Sequence, residues 1–277
     1  YVSTYCRTCY LSYGFLLINE DNYHFDQDFH HSAWTIYAST SREVKLYNKY
    51  SVRYSSNVLL SGYPKFDLLD AKKNKCDKPK RPIVIWAPHW TIGLCYPSIN
   101  LGTFDKICMD MVEFFRSSPE IDFIFKPHPN LLYALEKTTF MDKNGYLIYL
   151  QLLSKLENVL IYNQGDYCEL FLRSSAMITD CVSFLAEYLP TENPLLFLER
   201  EDRKSFSDVG EDIIKLHYTG TGIDSIREFV QQIIHEKRDP MKNSRLEKAR
   251  LLLEINEINS ADIIHDHLLQ SFVSNNP

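Results

Sequence analysis

A strict alternation of short apolar runs with helix-compatible stretches, from Pro82 to Leu198, most constrains how this chain can fold. Ile83–Ala87, Ile121–Lys126, Asn158–Tyr162, Ala176–Thr179 and Leu195–Leu198 read as strands. Helices are expected between them at Phe104–Ser117, Ile148–Leu156, Tyr167–Arg173 and Ser183–Leu189. Runs such as IVIW and FIF are apolar without alternation, which suits strands buried on both faces. Strand–helix repeats joined by short connections predict an α/β fold built on a Rossmann-like, doubly wound parallel sheet. A helix at Ile223–Glu236 and one or two more between Met241 and Phe272 would complete that unit.

Upstream, a strand around Phe15–Ile18 and a strand-like Trp34–Tyr37 precede a helix at Ser41–Tyr50. Asn57–Leu60 reads as another strand, closed by the turn Gly62-Tyr63-Pro64. The polar, basic, proline-containing stretch 70–82 is the best linker candidate. Three regions are therefore expected: 1–70, a linker at 71–81, and 82–277. A 277-residue chain that is 45% hydrophobic can bury a sizeable core. Its net charge of −6 argues against general nucleic-acid binding. No apolar run reaches the roughly 18–20 residues that span a bilayer. No basic-then-apolar leader is visible either, although a start at Tyr1 suggests part of a longer protein. Seven scattered cysteines fit reduced thiols of a cytosolic protein. Cys6-x-x-Cys9 lacks a second pair or a nearby histidine, so no metal is expected. The 18 Tyr and 16 Phe suit stacking surfaces or a tyrosine-rich core and lobe interface.

In a doubly wound sheet, ligands gather beyond the carboxyl ends of the strands. There Ala176–Thr179 ends at Asp180, and Ser183 opens an apolar-faced helix whose free N–H groups favour anions. Ser183 either caps that helix or meets a phosphate through Oγ; Asp180 could be the cap; Glu187 either faces solvent or accepts from ribose hydroxyls. His89 follows the first strand of the unit, as a donor, an acid or base, or a plain turn residue. Lys126-Pro127-His128-Pro129 holds a lysine and an imidazole on a bend fixed by two prolines. Asp166 is a natural N-cap beside Tyr167, a further candidate contact. The turn Asp180–Ser183 contains no glycine, and the chain has no P-loop, glycine-rich dinucleotide fingerprint or Ser-His-Asp set. Side chains and a helix end would hold phosphate instead.

Five segments in order carry a family resemblance: Gly62–Asp67, Trp86–His89, Phe125–Pro129, Gly165–Tyr167, and Met177–Asp180 with Ser183–Tyr188. Over most of 57–200 they resemble the CDP-glycerol glycerophosphotransferase family of teichoic-acid and capsule synthesis. The resemblance implies a GT-B fold, with 82–277 as the donor lobe and 1–70 as a remnant of the acceptor-side lobe. It implies transfer of a glycerol-phosphate-type or glycosyl unit from a CDP-activated donor to a lipid-linked polymer, without metal or cofactor, at the inner face of the cell membrane. By the same likeness Lys126, His128, Tyr167, Thr179, Asp180, Ser183 and Glu187 would bind the donor, and His89 and His128 would serve catalysis. Two departures stand out. The His-Gly pair that supplies the family's base is missing, with Tyr13-Gly14 its nearest echo. Cys181-Val182 replaces the usual small residues, which leaves room for another donor. A UDP-sugar glycosyltransferase, a UDP-sugar 2-epimerase-like enzyme and a non-catalytic nucleotide-binding lobe are the alternatives. The stretch given is expected to be inactive alone.

Overall fold

The computed structural model describes residues 6–19, 24–73, 76–77, 79–93, 99–255 and 257–273. Its first sheet is parallel, in the order β1 (Cys9–Leu11), β2 (Thr35–Ala38), β3 (Val58–Leu60). The second contains β4 (Ile83–Ala87), β5 (Asp122–Phe125), β6 (Val159–Ile161), β7 (Ala176–Thr179), β8 (Leu195–Leu198) and β9 (Tyr218–Gly220). These lie parallel throughout in the order β6-β5-β4-β7-β8-β9. Counted from β4, that is the 3-2-1-4-5-6 order of a Rossmann sheet, whose direction of winding reverses between β4 and β7. The doubly wound α/β fold expected from the strand–helix rhythm is present.

Period-two side-chain placement builds two cores from the same strands. Ile85, Met177, Leu195 and Phe197 feed one face, while Val84, Trp86, Ile178 and Leu196 feed the other. Helix Phe104–Ser117 covers the second face with Ile107, Met111 and Phe115, which recur at helical spacing. A smaller core of Phe25, Ala33, Ile36 and Tyr47 supports the first sheet.

The lobes interlock more than a single linker would allow. Helix Pro64–Lys73 starts where a turn was expected and runs into the expected linker, because a proline in the first helical turn needs no N–H partner. Its Phe66 and Leu69 belong to the larger core. Residues 74, 75 and 78 of that stretch lie outside the described residues. Phe15 and Leu17 also enter the larger core, where a strand was expected; only Ile18 makes a β-bridge, with Phe206. The Ser207 N–H donates to the Leu17 carbonyl at 2.8 Å. After helix Lys242–Leu252, helix Ser260–Val273 returns to the first lobe. There His267 stacks on Trp34 at 5.1 Å, and its Nδ1 meets the Tyr37 hydroxyl at 3.0 Å.

Candidate functional site

The winding reversal between β4 and β7 opens into a cleft of about 970 Å³. Tyr10, Ser12–Ile18, His24, Gln27, Phe29 and His30 form much of its first-lobe wall, and the ends of β4, β5, β6 and β7 form the opposite wall. His89, Lys126, His128, Tyr167, Ser183 and Glu187 all line it, as the strand-end reading expects.

At the end of β4 the backbone N–H of His89 donates to the Asp180 carboxylate. Thr91 Oγ1 accepts from the Leu101 N–H at 3.1 Å and lies 2.8 Å from His89 Nδ1, leaving its own proton for that nitrogen. The Thr91 N–H approaches the same Nδ1 at 3.3 Å. Beyond β5, His128 Nδ1 accepts from the Asn130 N–H at 3.1 Å. With each Nδ1 serving as acceptor, the network assigns the ring proton of both imidazoles to Nε2. Their rings lie 5.3 Å apart, edge to face, and Trp90 stacks on His128 at 5.7 Å. Burial holds His89 at about 3, helped by His128, and His128 at about 4, helped by the Lys126 charge. Both rings are neutral donors at pH 7.

The Lys126 ammonium sits 4.9 Å over the Tyr167 ring and 5.8 Å over Phe184. It makes no ion pair among the described residues. Burial lowers its pKa. Lys65, from the interlobe helix, lies 5.1 Å from the same Tyr167 ring, so one aromatic face region serves two cations. Lys65 is committed elsewhere. Its Nζ donates to the Tyr13 carbonyl at 2.7 Å and pairs with Glu187 Oε2 at 3.2 Å. Glu187 is 1% exposed and also accepts from the Tyr63 hydroxyl at 2.9 Å and from the Tyr167 hydroxyl. It therefore fastens the lobes together as well as facing the cleft. Nothing in the local pattern of Gly62-Tyr63-Pro64-Lys65 announces this; it needs the helix that the proline starts.

Thr179 and Asp180 do not line the cleft, contrary to the donor-contact expectation. Both are fully buried because the strand end turns them inward. Thr179 Oγ1 donates to the Ala87 carbonyl at 2.6 Å and accepts from the Cys181 N–H at 3.0 Å, locking β7 to β4. The Asp180 carboxylate accepts from His89 N–H, Thr103 N–H and, at 2.8 Å, Thr103 Oγ1. It clasps the β4 loop to the start of helix Phe104–Ser117. Burial raises its pKa to about 6 against these three hydrogen bonds. Ser183 is the second residue of a seven-residue helix, Val182–Tyr188, rather than its cap. Its Oγ lies 3.3 Å from Cys181 Sγ. Asp166 accepts from the Cys168 N–H at 3.1 Å but is not the expected cap. Helix Cys168–Arg173 starts one residue later than expected, so Tyr167 holds the N-cap position and Asp166 stands just before it. The Tyr13-Gly14 echo lies across from Ser183: a Cβ on Gly14 would come within 3.8 Å of Ser183 Cβ. Among the described residues no group of three or more His, Cys, Asp or Glu side chains is placed to hold a metal.

A family model described as CDP-glycerol:poly(glycerophosphate) glycerophosphotransferase matches residues 18–269. No curated protein sequence matches the chain. Among solved structures, the wall teichoic acid polymerase TagF soaked with CDPG is similar at 14% identity and a TM-score of 0.58, over 98% of this chain and 70% of that one. UDP-GlcNAc 2-epimerase from Neisseria meningitidis, bound to UDP-GlcNAc, is similar at 14% identity and a TM-score of 0.56, over 95% and 70% of the two chains. MnaA from S. aureus, in complex with UDP, gives 14% identity and a TM-score of 0.52 over 89% and 62%. At such identities the likeness concerns the fold, which is GT-B.

Proposed function

The chain belongs to the CDP-glycerol:poly(glycerophosphate) glycerophosphotransferase family, and from that premise we propose that its cleft holds the diphosphate of a CDP-activated donor. The observation that carries this reading is the half-buried Lys126 ammonium, without a carboxylate partner among the described residues, beside two Nε2–H donors at the winding reversal. A cation and neutral donors preset in a partly desolvated cleft suit charge on phosphate oxygens. In the proposed reaction an acceptor hydroxyl attacks the donor β-phosphorus, the bond to the nucleotide phosphate breaks, and CMP departs. If the donor carries a sugar, attack falls on the anomeric carbon, the bond from that carbon to the β-phosphate oxygen breaks, and CDP departs.

Lys126, His89 and His128 would stabilise the charge gathering on the departing phosphate. The acceptor proton goes to a base that these two imidazoles do not supply while Nε2 is protonated. Ser183 and Tyr167 would complete the donor contacts, and Glu187 would face the ribose. The polymer chemistry of the family supports a lipid-linked acceptor met at the inner membrane face. Among the described residues no helix is long and apolar enough to cross a membrane.

Calorimetry with CDP and UDP tests the proposal. CDP should bind, and Lys126→Met should weaken it roughly 10–100-fold, the equivalent of one charge-assisted hydrogen bond. A well-folded chain that binds neither nucleotide would refute the donor reading. Preference for UDP would move the donor to the nucleotide-sugar class.

A further inference from the structure

The cleft's two walls differ in charge. Lys126 serves the second-lobe wall, and Lys65 is the single Lys or Arg among the described first-lobe lining residues. Lys65 is already paired with Glu187. The rest of that wall offers Tyr10, Ser12, His24, Gln27, Phe29 and His30. Tyr10, Phe29 and His30 form one aromatic cluster, with ring separations of 5.0 Å, 4.9 Å and 4.1 Å. Phe29 remains 44% exposed, so part of the cluster is open to solvent.

His30 adds a polar handle. Its Nδ1 accepts from the Gln27 N–H at 3.2 Å, which places the ring proton on Nε2. That Nε2 is buried with no hydrogen-bond partner among the described residues. Burial lowers the ring's pKa to about 4, so His30 adds no positive charge at pH 7. A hydroxyl or amide oxygen entering beside Phe29 would satisfy this donor, whereas a phosphate chain would find no free Lys or Arg among the described residues of this wall.

We propose that this first-lobe wall is the acceptor subsite and that it takes a neutral saccharide ring rather than a polyanionic glycerol-phosphate chain. The proposal rests on the transferase reading above and names its acceptor class. Aromatic faces present C–H-rich sugar rings with apolar area, the His30 Nε2–H offers a hydrogen bond to a ring hydroxyl, and Ser12, Gln27 and His24 interleave polar groups among the rings. A polyanion needs compensating charge that the described residues of this wall do not hold. A prenyl chain suits it less well, since those polar groups interrupt any continuous apolar surface. A volume of about 970 Å³ lies near the top of the roughly 300–1,000 Å³ range of ligand pockets, leaving room for donor and acceptor together.

Saturation-transfer NMR on the full chain with CMP present tests the proposal, using lactose, maltose, diacetylchitobiose, a synthetic glycerol-phosphate tetramer and farnesol as separate probes. At least one disaccharide should bind, with affinity steady within about twofold between about 50 and 200 mM salt. Phe29→Ala should weaken it roughly tenfold and Phe29→Tyr should restore it, with both variants melting as the parent does. No disaccharide binding, displacement of the sugar by farnesol, or preferential salt-sensitive binding of the tetramer would each overturn the proposal. CDP titration of the unmodified chain reads the donor proposal separately: CDP bound without sugar rejects only the acceptor class.

Discussion

Replacing Asp180 by Asn separates a clasp from a ligand contact. The carboxylate receives two backbone N–H groups and one hydroxyl, from His89 and Thr103. An amide of the same shape keeps one acceptor oxygen and turns an NH₂ toward one of the N–H groups. At least one charge-assisted bond is lost, worth about 1.5–3 kcal/mol, and a buried donor is left unmade at roughly 1–3 kcal/mol more. We expect a destabilisation of about 3 kcal/mol at pH 7, read by urea unfolding followed by circular dichroism. The pH dependence provides a second signature. Asp180 is raised from 3.8 to about 6 in the fold, so its protonation stabilises the native state fully below 3.8, and that contribution is lost as pH rises through about 6. Between pH 7 and pH 5 the parent therefore gains roughly 1 kcal/mol that the Asn variant cannot, and the gap widens on acidification. CDP affinity, measured under folding conditions, should fall by less than about tenfold. Loss of CDP binding with a destabilisation below about 1 kcal/mol would place Asp180 on the ligand and refute the clasp.

Glu187→Gln leaves Tyr63, Tyr167 and Lys65 competing for one oxygen; differential scanning calorimetry should show about 2 kcal/mol lost, moderated because Lys65 can rehydrate. Gly102→Ala would press a Cβ to within 2.5 Å of Ile92 Cγ2 and 2.7 Å of the His89 carbonyl, so chemical denaturation should show roughly 1–3 kcal/mol of strain and weaker CDP binding. His217 donates from Nε2 to the Leu185 carbonyl at 2.8 Å, and burial lowers its pKa from 6.5 to about 3. The unfolded state takes the proton first, so stability present above 6.5 is lost as pH falls, by roughly 2 kcal/mol at pH 5. His217→Gln keeps a donor without that titration, so its acid unfolding midpoint should lie below the parent's.

What the sequence revealed followed from burial. β4, β7 and β8 carry apolar residues toward both faces, so their runs have the expected bounds at Ile83–Ala87, Ala176–Thr179 and Leu195–Leu198. β1 and β9 have three residues each and lie at sheet edges, too short for any period to register. Lys143–Ser154 begins five residues before the expected helix, because Gly145 and the polar Lys143-Asn144 obscure its first turn. Helix Asp208–Ile214 was not anticipated; Gly210 interrupts its pattern, although Ser207 caps it. At the site, His89, Lys126 and His128 were readable because strand ends define where they stand. Lys65 was not, since its role depends on a helix packed between lobes. Thr179 and Asp180 were misplaced because type and spacing do not tell whether a strand-end side chain turns outward or back under the sheet.

The burial of Phe15 and Leu17 in the larger core, which the interlobe helix and the second lobe build together, has a consequence for ligand entry. Swinging the lobes widely apart would return both side chains to water, a cost of roughly 2 kcal/mol each. About 4 kcal/mol corresponds to an open population near one molecule in a thousand. A ligand that needed that form would bind about a thousandfold more weakly than its intrinsic contacts allow. Traffic through the mouth of the standing cleft avoids that tax, so association should track ligand diffusion and local side-chain rearrangement rather than a rare domain swing.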